Sequence, residues 1–165
     1  MAAPTLPPMP PKLLFDISSL DLDKTLFDQE AIRACNPHRG DMEHLNGVIW
    51  ADGAQGRILG YKDVRVDEFW VAGHIPGRPL LPGVLMVEAA AQLASFYIRQ
   101  YLGWTGFVGF GGVDAVRFRQ VVTPGCRLYL LAQQIWTRHR RVCSDVQGLV
   151  DGTLVFEGQI TGTEF

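Results

Sequence analysis

Three stretches near the C-terminus have the length of strands: residues 127–136 (RLYLLAQQIW), 142–150 (VCSDVQGLV) and 153–162 (TLVFEGQITG). In the last, Leu154, Phe156 and Ile160 alternate onto one face, with Thr153, Glu157 and Gln159 on the other. Asp151-Gly152 separates the second stretch from the third. An Asp-Gly pair predicts a two-residue hairpin, because both turn positions need positive φ. Arg138–Arg141 supply the preceding turn, so the pattern is an antiparallel meander. Upstream, Asp52-Gly53 and the alternation in Lys62–Asp67 predict further strands at about 47–51 and 57–69.

One segment departs from this pattern. PGVLMVEAAAQLASFYIRQYL, from Pro82, has no Gly or Pro after Gly83 and is rich in Ala, Leu and Met, which favour helix. Pro at the first turn suits a helix start, since its missing N–H costs nothing there. The first three turns are apolar nearly all round, broken only by Glu88, Gln92 and Ser95. A helix apolar on every face must be enclosed, and only the last turn, with Arg99 and Gln100, is suited to water. The expected fold is α+β: five or six antiparallel strands curved around one long central helix.

Length and composition fit one domain: 165 residues, 47% hydrophobic and 19% charged. Five prolines between Pro4 and Pro11 predict an extended N-terminal arm, so residues 1–30 are expected as an extension and 31–165 as the domain. The N-terminus lacks the charged and unbroken apolar regions of a signal peptide, and no window reaches the 18 apolar residues a membrane span requires. A cytoplasmic protein is expected. Cys35, Cys126 and Cys143 have neither disulfide-framework nor zinc spacing and read as packing. The net charge of −2 does not suggest a nucleic-acid binder, yet charge is unevenly spread. Residues 16–43 hold seven acids, whereas 115–144 hold six arginines and no acid. By charge alone, solvated strand faces and a turn are the favoured explanation, and a surface for an anionic partner is the other.

Glu88 is the one charged residue between Arg78 and Arg99, on a helix apolar nearly all round. A buried carboxylate must find a partner or take a proton; desolvation raises its pKa, and a neutral carboxylic acid can serve as a general acid. Fourteen residues earlier, His74 stands in GHIPGRPLLPG, a loop stiffened by Pro76, Pro79 and Pro82 and given close-approach points by Gly77 and Gly83. The loop runs into a helix N-terminus, whose free N–H groups favour developing negative charge. The backbone N–H of Gly83 or Val84 can therefore polarise a carbonyl. A base, an oxyanion donor and, about 7.5 Å along the helix, an acid are thus offered together.

The run GHIPGRPLLPGVLMVEAAAQ resembles the signature of the β-hydroxyacyl-acyl carrier protein dehydratases, FabZ type of the FabA/FabZ family: His-Phe-Pro-Gly-x-Pro-x-x-Pro-Gly and then a helical Glu. Ile75 replaces the usual Phe. Weaker resemblance extends from Asn36-Pro37-His38-Arg39 through FVGFGGVDAVRFRQVVTPG to VDGTLVFEG. The resemblance implies a hotdog fold acting as a dimer or trimer of dimers, and removal of water from a 3-hydroxyacyl thioester to give the trans-2-enoyl product in fatty-acid biosynthesis. No metal or cofactor is implied; the acyl group rides on the phosphopantetheine of acyl carrier protein. It implies His74 as the base for the α-proton, Glu88 as the acid for the departing hydroxyl and Gly83 as the thioester-oxygen donor. His and acid would meet across the dimer interface, so a monomer should be inactive. Glu rather than Asp at 88 resembles the dehydratase-only branch.

Around these, Pro82, Val84 and Gln92 are expected as substrate-binding or supporting residues, Gln92 by hydrogen-bonding Glu88 one turn away. With an acidic carrier protein as partner, Arg138, Arg140 and Arg141 are expected to dock it. The departures from the pattern are Gly40-Asp41-Met42-Glu43-His44, polar where the family is aromatic and apolar, and Cys126 in place of the usual Asp of a Pro-Gly-Asp turn. His38, Asp41, Glu43 and His44 are metal ligands by type but not by spacing. Gly109, Gly111 and Gly112 are expected to mark strand bulging rather than a dinucleotide fingerprint. A hotdog thioesterase and a catalytically idle acyl- or carrier-binding paralogue are the alternatives.

Overall fold

A computed structural model describes residues 11–165. A short helix α1 (Gln29–Cys35) and a 3-10 turn (Gly40–Met42) precede strands β1 (Gly47–Asp52) and β2 (Arg57–Val64). The long helix α2 (Gly83–Leu102) follows, and then β3 (Val108–Phe118), β4 (Cys126–Arg138), β5 (Arg141–Val150) and β6 (Thr153–Glu164). The strands form one antiparallel sheet in the order β1-β2-β4-β5-β6-β3. It curves around α2, whose Ala89, Ala90, Leu93 and Phe96 pack against Ile58, Leu130, Val146 and Phe156 in the main core.

Local chemistry explains the element ends. Pro82, at φ −55°, sets the start of α2, and Gly103, at φ +70°, ends it with its N–H donating to the Ile98 carbonyl. Asp151 and Gly152 turn the β5–β6 hairpin at φ +48° and +75°, as the Asp-Gly pair requires. β2 stops at Val64 rather than near 69, because Glu68 turns back to accept from Arg65 N–H and from the buried Lys62 ammonium, 2.7 Å away. The sequence alternation in β6 is broken as well. Gly148 pairs with Phe156 but Leu149 pairs with Leu154, leaving Val155 as an extra residue. That bulge turns Leu154 to the outer face, while Phe156 and Ile160 remain inside.

The outer face carries a second apolar layer. Ile49, Leu59, Leu131, Leu149 and Leu154 are covered by Phe15 and by Leu13, Leu14, Ile17, Leu20 and Leu22. Gln147 fastens this strap: its amide oxygen accepts from Leu14 N–H at 2.9 Å and its amide nitrogen donates to the Lys12 carbonyl at 3.0 Å. The proline run that predicts an extended arm falls largely on residues 1–10, outside the described residues; from Leu13 onward the chain is packed.

The two sheet edges differ. β1 is covered by Leu26 and Phe27, whose N–H groups donate to the Val48 carbonyl while Val48 N–H donates to Phe27. Among the described residues β3 has no strand beyond it, and it carries exposed Phe110, Val113 and Phe118. Among the described residues no helix is long and apolar enough to cross a membrane, and the three cysteines are free.

Candidate active site

Glu88 sits on the α2 face that looks toward β3, β5 and β6, at the head of a cavity of about 150 Å³. Ala91, Ile98, Val108, Phe110 and Ile160 give that cavity an apolar wall. Glu88 Oε1 accepts from Gln92 Nε2 at 2.9 Å and faces His38 Nε2 at 3.3 Å. The His38 hydrogen bond is the largest influence on the carboxyl. Burial opposes it, Gln92 reinforces it, and the net effect holds Glu88 below the usual carboxylate range. Of the two outcomes open to a buried carboxylate, a partner or a proton, Glu88 in this chain finds the partner.

That partner is the residue sequence reasoning missed as a site residue. His38 belongs to Pro37-His38-Arg39, a run quoted above for the family resemblance but given no role. Its loop is tied down by Arg39, whose guanidinium donates to the carbonyls of Arg33, Asn36 and His38. Arg33 in turn grips Glu43 through two hydrogen bonds, at 2.5 and 2.9 Å.

Gln92 is where the polar 40–44 stretch meets the site. Its side-chain oxygen accepts from the N–H groups of His44 (2.9 Å) and Leu45 (3.1 Å). Its nitrogen donates to the Met42 carbonyl (2.7 Å) and to Glu88. Two donors face the oxygen and two acceptors face the nitrogen, so the amide orientation is self-consistent. His44 and Asn36, both buried, line the back of this cluster, and Asn36 Nδ2 donates to the Gln92 carbonyl.

His74 is exposed and rigidly held. Its N–H donates to Trp70 and its carbonyl accepts from Leu80 N–H. Its ring Nδ1 lies 2.7 Å from the Leu80 carbonyl. A carbonyl can only accept, so Nδ1 carries a proton, and in the neutral ring the lone pair is on Nε2, the atom a base would use. At the helix start, a Cβ on Gly83 would lie 2.7 Å from the Phe118 ring, so any larger residue there would have to displace that ring. The Pro82 carbonyl accepts from Leu85 and Met86, while the N–H groups of Gly83 and Val84 belong to the first turn, where the helix supplies no acceptor. Val84 projects outward, 71% exposed.

His74 does not line the cavity at Glu88. Within one chain the structure gathers Glu88, Gln92 and His38, and separately holds His74 beside the start of α2. Arg138, Arg140 and Arg141 lie at the β4–β5 turn. Arg138 and Arg141 each stand 6.0 Å from the Trp136 ring centre, and Arg140 is 3.9 Å from Glu164. Glu164 also pairs with Val108 and accepts from Gly106 N–H, which sets this cluster at the C-terminal end of α2, about 30 Å of helix away from Gly83. Among the described residues no group of three or more His, Cys, Asp or Glu is placed to hold a metal ion.

A curved antiparallel sheet around one long helix, with a carboxylate on that helix facing an apolar cavity, defines a hotdog protein with an acid-bearing site. Residues 36–159 match the FabA-like domain family, and the chain belongs to that family. It is 38% identical over 130 residues to the 3-hydroxyacyl-[acyl-carrier-protein] dehydratase FabZ of Herpetosiphon aurantiacus, covering 78% of this chain and 92% of that protein. Among solved structures, the dehydratase heterocomplex ApeI:P from Xenorhabdus doucetiae aligns with a TM-score of 0.68 at 18% identity, over 81% of this chain and 90% of that one. A sigma28-regulated virulence protein from Campylobacter jejuni aligns at 0.62 and 18%, over 88% and 96%. These structural likenesses speak to the fold.

Proposed function

We propose that this protein removes water from 3-hydroxyacyl thioesters carried by acyl carrier protein, giving trans-2-enoyl thioesters in fatty-acid biosynthesis, with His74, Glu88 and Gly83 as its working groups. The observation that carries the reading is the helix-borne carboxyl of Glu88 at the head of an apolar cavity, on the same helix whose start is preceded by a loop that holds His74 by its Nδ1. His74 Nε2 takes the α-proton. The Gly83 N–H, at the positive end of α2, binds the thioester oxygen as charge gathers on it. Glu88 gives a proton to the departing hydroxyl, and water leaves. An acyl tail filling the cavity excludes water from Glu88 and pushes its carboxyl up, toward the protonated form this step needs. Gln92 keeps that carboxyl aimed, and Pro82 and Val84 shape the entrance. No metal or cofactor enters the scheme, and a carrier-borne substrate with unpaired cysteines fits a cytoplasmic enzyme.

The reading includes a homodimer paired along the open edge of β3, alone or within a trimer of dimers. Antiparallel pairing of two copies would set Val108 of one beside Phe118 of the other. The His74 loop of one copy would then approach the cavity of the second. The Arg138, Arg140 and Arg141 turn would likewise be carried toward the second copy's helix start, where an acidic carrier protein must deliver its acyl group.

The test is hydration of a trans-2-enoyl thioester, the reverse reaction, followed by loss of enoyl absorbance. His74→Ala and Glu88→Gln are each expected to lower kcat by about 10²–10⁴ with the thermal midpoint retained. Small effects from both, or no turnover by the wild type on carrier and CoA substrates of several lengths, would overturn the reading. Thiol release as fast as hydration would move it to a thioesterase.

A further inference from the structure

The wall of the cavity is apolar along α2 and the inner face of the sheet, with two hydroxyl exceptions beyond Glu88. Ser95 lies on α2 seven residues after Glu88, about 10 Å farther along the helix axis. Ser144 lies on β5 between Val142 and Val146, in the row of alternate residues that points at the helix. Ser144 is 4% exposed. Its cross-strand neighbours are Gln134 and Ile160. The Gln134 amide donates instead to the Thr137 hydroxyl, and no hydrogen bond joins either serine side chain to another described residue. Thr161 also borders the cavity, but it pairs with Cys143 in the outward row, so its backbone is what faces in.

A hydroxyl in such a place is hydrated when the cavity is empty and must find a new partner when the cavity fills. Hydrocarbon offers none, and Ser95 can at best turn back to the carbonyl of the preceding helical turn, so a carbon tail costs these hydroxyls hydrogen bonds that water had supplied. An ether, hydroxyl or carbonyl oxygen in the tail restores the bond. Resting on the reading that this cavity takes the acyl tail, we propose that Ser95 and Ser144 are specificity-determining residues. They select tails carrying a hydrogen-bonding oxygen about 10 Å from the reacting end over all-carbon tails of equal length. Tails too short to reach the two serines are not discriminated.

Three trans-2-enoyl thioesters test this: a short all-carbon one, a long all-carbon one, and the long one with the methylene at serine depth replaced by an ether oxygen. In the wild type the ether is expected to exceed its all-carbon counterpart in kcat/KM by about tenfold or more, the scale of one buried hydroxyl left unpaired. In Ser95→Ala/Ser144→Ala that ratio is expected to fall to about one or below, with each single variant between. A wild-type ratio of one or less overturns the proposal, whether or not the variants fold, and so does a ratio the double variant leaves unmoved. Turnover itself separates this from the dehydratase reading: if none of the three is turned over, that reading fails. The proposal is then decided by calorimetric binding of the same long tails as unreactive pantetheine amides, where equal or stronger binding of the all-carbon tail overturns it.

Discussion

Gln92 uses its whole side chain, two bonds accepted and two donated, to lock the Met42–Leu45 loop against α2 and to aim Glu88. Replacing it with Ala strands the His44 and Leu45 N–H groups in the interior. Each such group costs about 1–3 kcal/mol, so a loss of at least about 2 kcal/mol is expected in urea denaturation, together with a fall in kcat as Glu88 loses its donor. His44 behind it is 1% exposed with neither ring nitrogen bonded. Burial first and the Lys62 ammonium second hold its ring below the ordinary value of 6.5, His38 adding to them and Glu68 and Glu88 pulling the other way. The unfolded chain takes up a proton here near 6.5 and the folded chain resists it, so stability declines as pH falls below about 6.5. Glu88 is linked in the same sense at lower pH: its folded carboxyl also lies below its ordinary value of 4.5, and its contribution, present above 4.5, is lost only as pH falls past that value. The two windows separate, and His44→Leu is expected to flatten the stability curve between about pH 6.5 and 4.5, as read by urea midpoints at several pH values. A wild-type slope retained in the variant would show that another group is responsible.

At the scale of elements, α2 and the hairpins were legible because their signals are local. An uninterrupted Ala- and Leu-rich run with Pro before it and Gly after it, and an Asp-Gly pair, act on their own backbone. The outer strap was not legible, since Leu13, Phe15 and Leu20 reveal their purpose only against strands about thirty residues away or more. The β6 bulge was hidden for a related reason: strict alternation through Leu154 and Phe156 is the simplest reading, and only the register with β5 shows the extra residue. In the site, Glu88 and His74 announced themselves by type and setting, while His38 did not, because a loop histidine gains meaning only from the carboxylate it meets. The strap has its own prediction. Phe15 is 7% exposed and packs 5.5 Å from the Trp50 ring, so Phe15→Ala is expected to cost about 3–5 kcal/mol. The check is urea denaturation alongside enoyl hydration, with kcat at saturating substrate little changed while the protein remains folded.

For the molecule as a whole, the asymmetry of the sheet edges decides how copies meet. The Leu26–Phe27 segment closes the β1 side, and the eleven residues of β3 stay open with apolar side chains in solvent, an arrangement that invites strand pairing. Val113→Lys puts a charge at the middle of that edge, where two antiparallel copies would bring like charges together. Such a variant is expected to elute as a monomer in size-exclusion chromatography and to lose enoyl hydration, since His74 and the cavity of Glu88 are not joined within one chain. A monomer that hydrates at the wild-type rate would refute the shared site. The strap has a further consequence for anyone making this protein. The family match begins at Asn36, and a chain started there would retain every proposed working group. It would also lay bare Ile49, Leu59, Leu131 and Leu149 as one contiguous greasy surface, the kind that drives aggregation. The trimmed enzyme should collect in inclusion bodies, so the safe place to begin a shortened clone is ahead of Leu13.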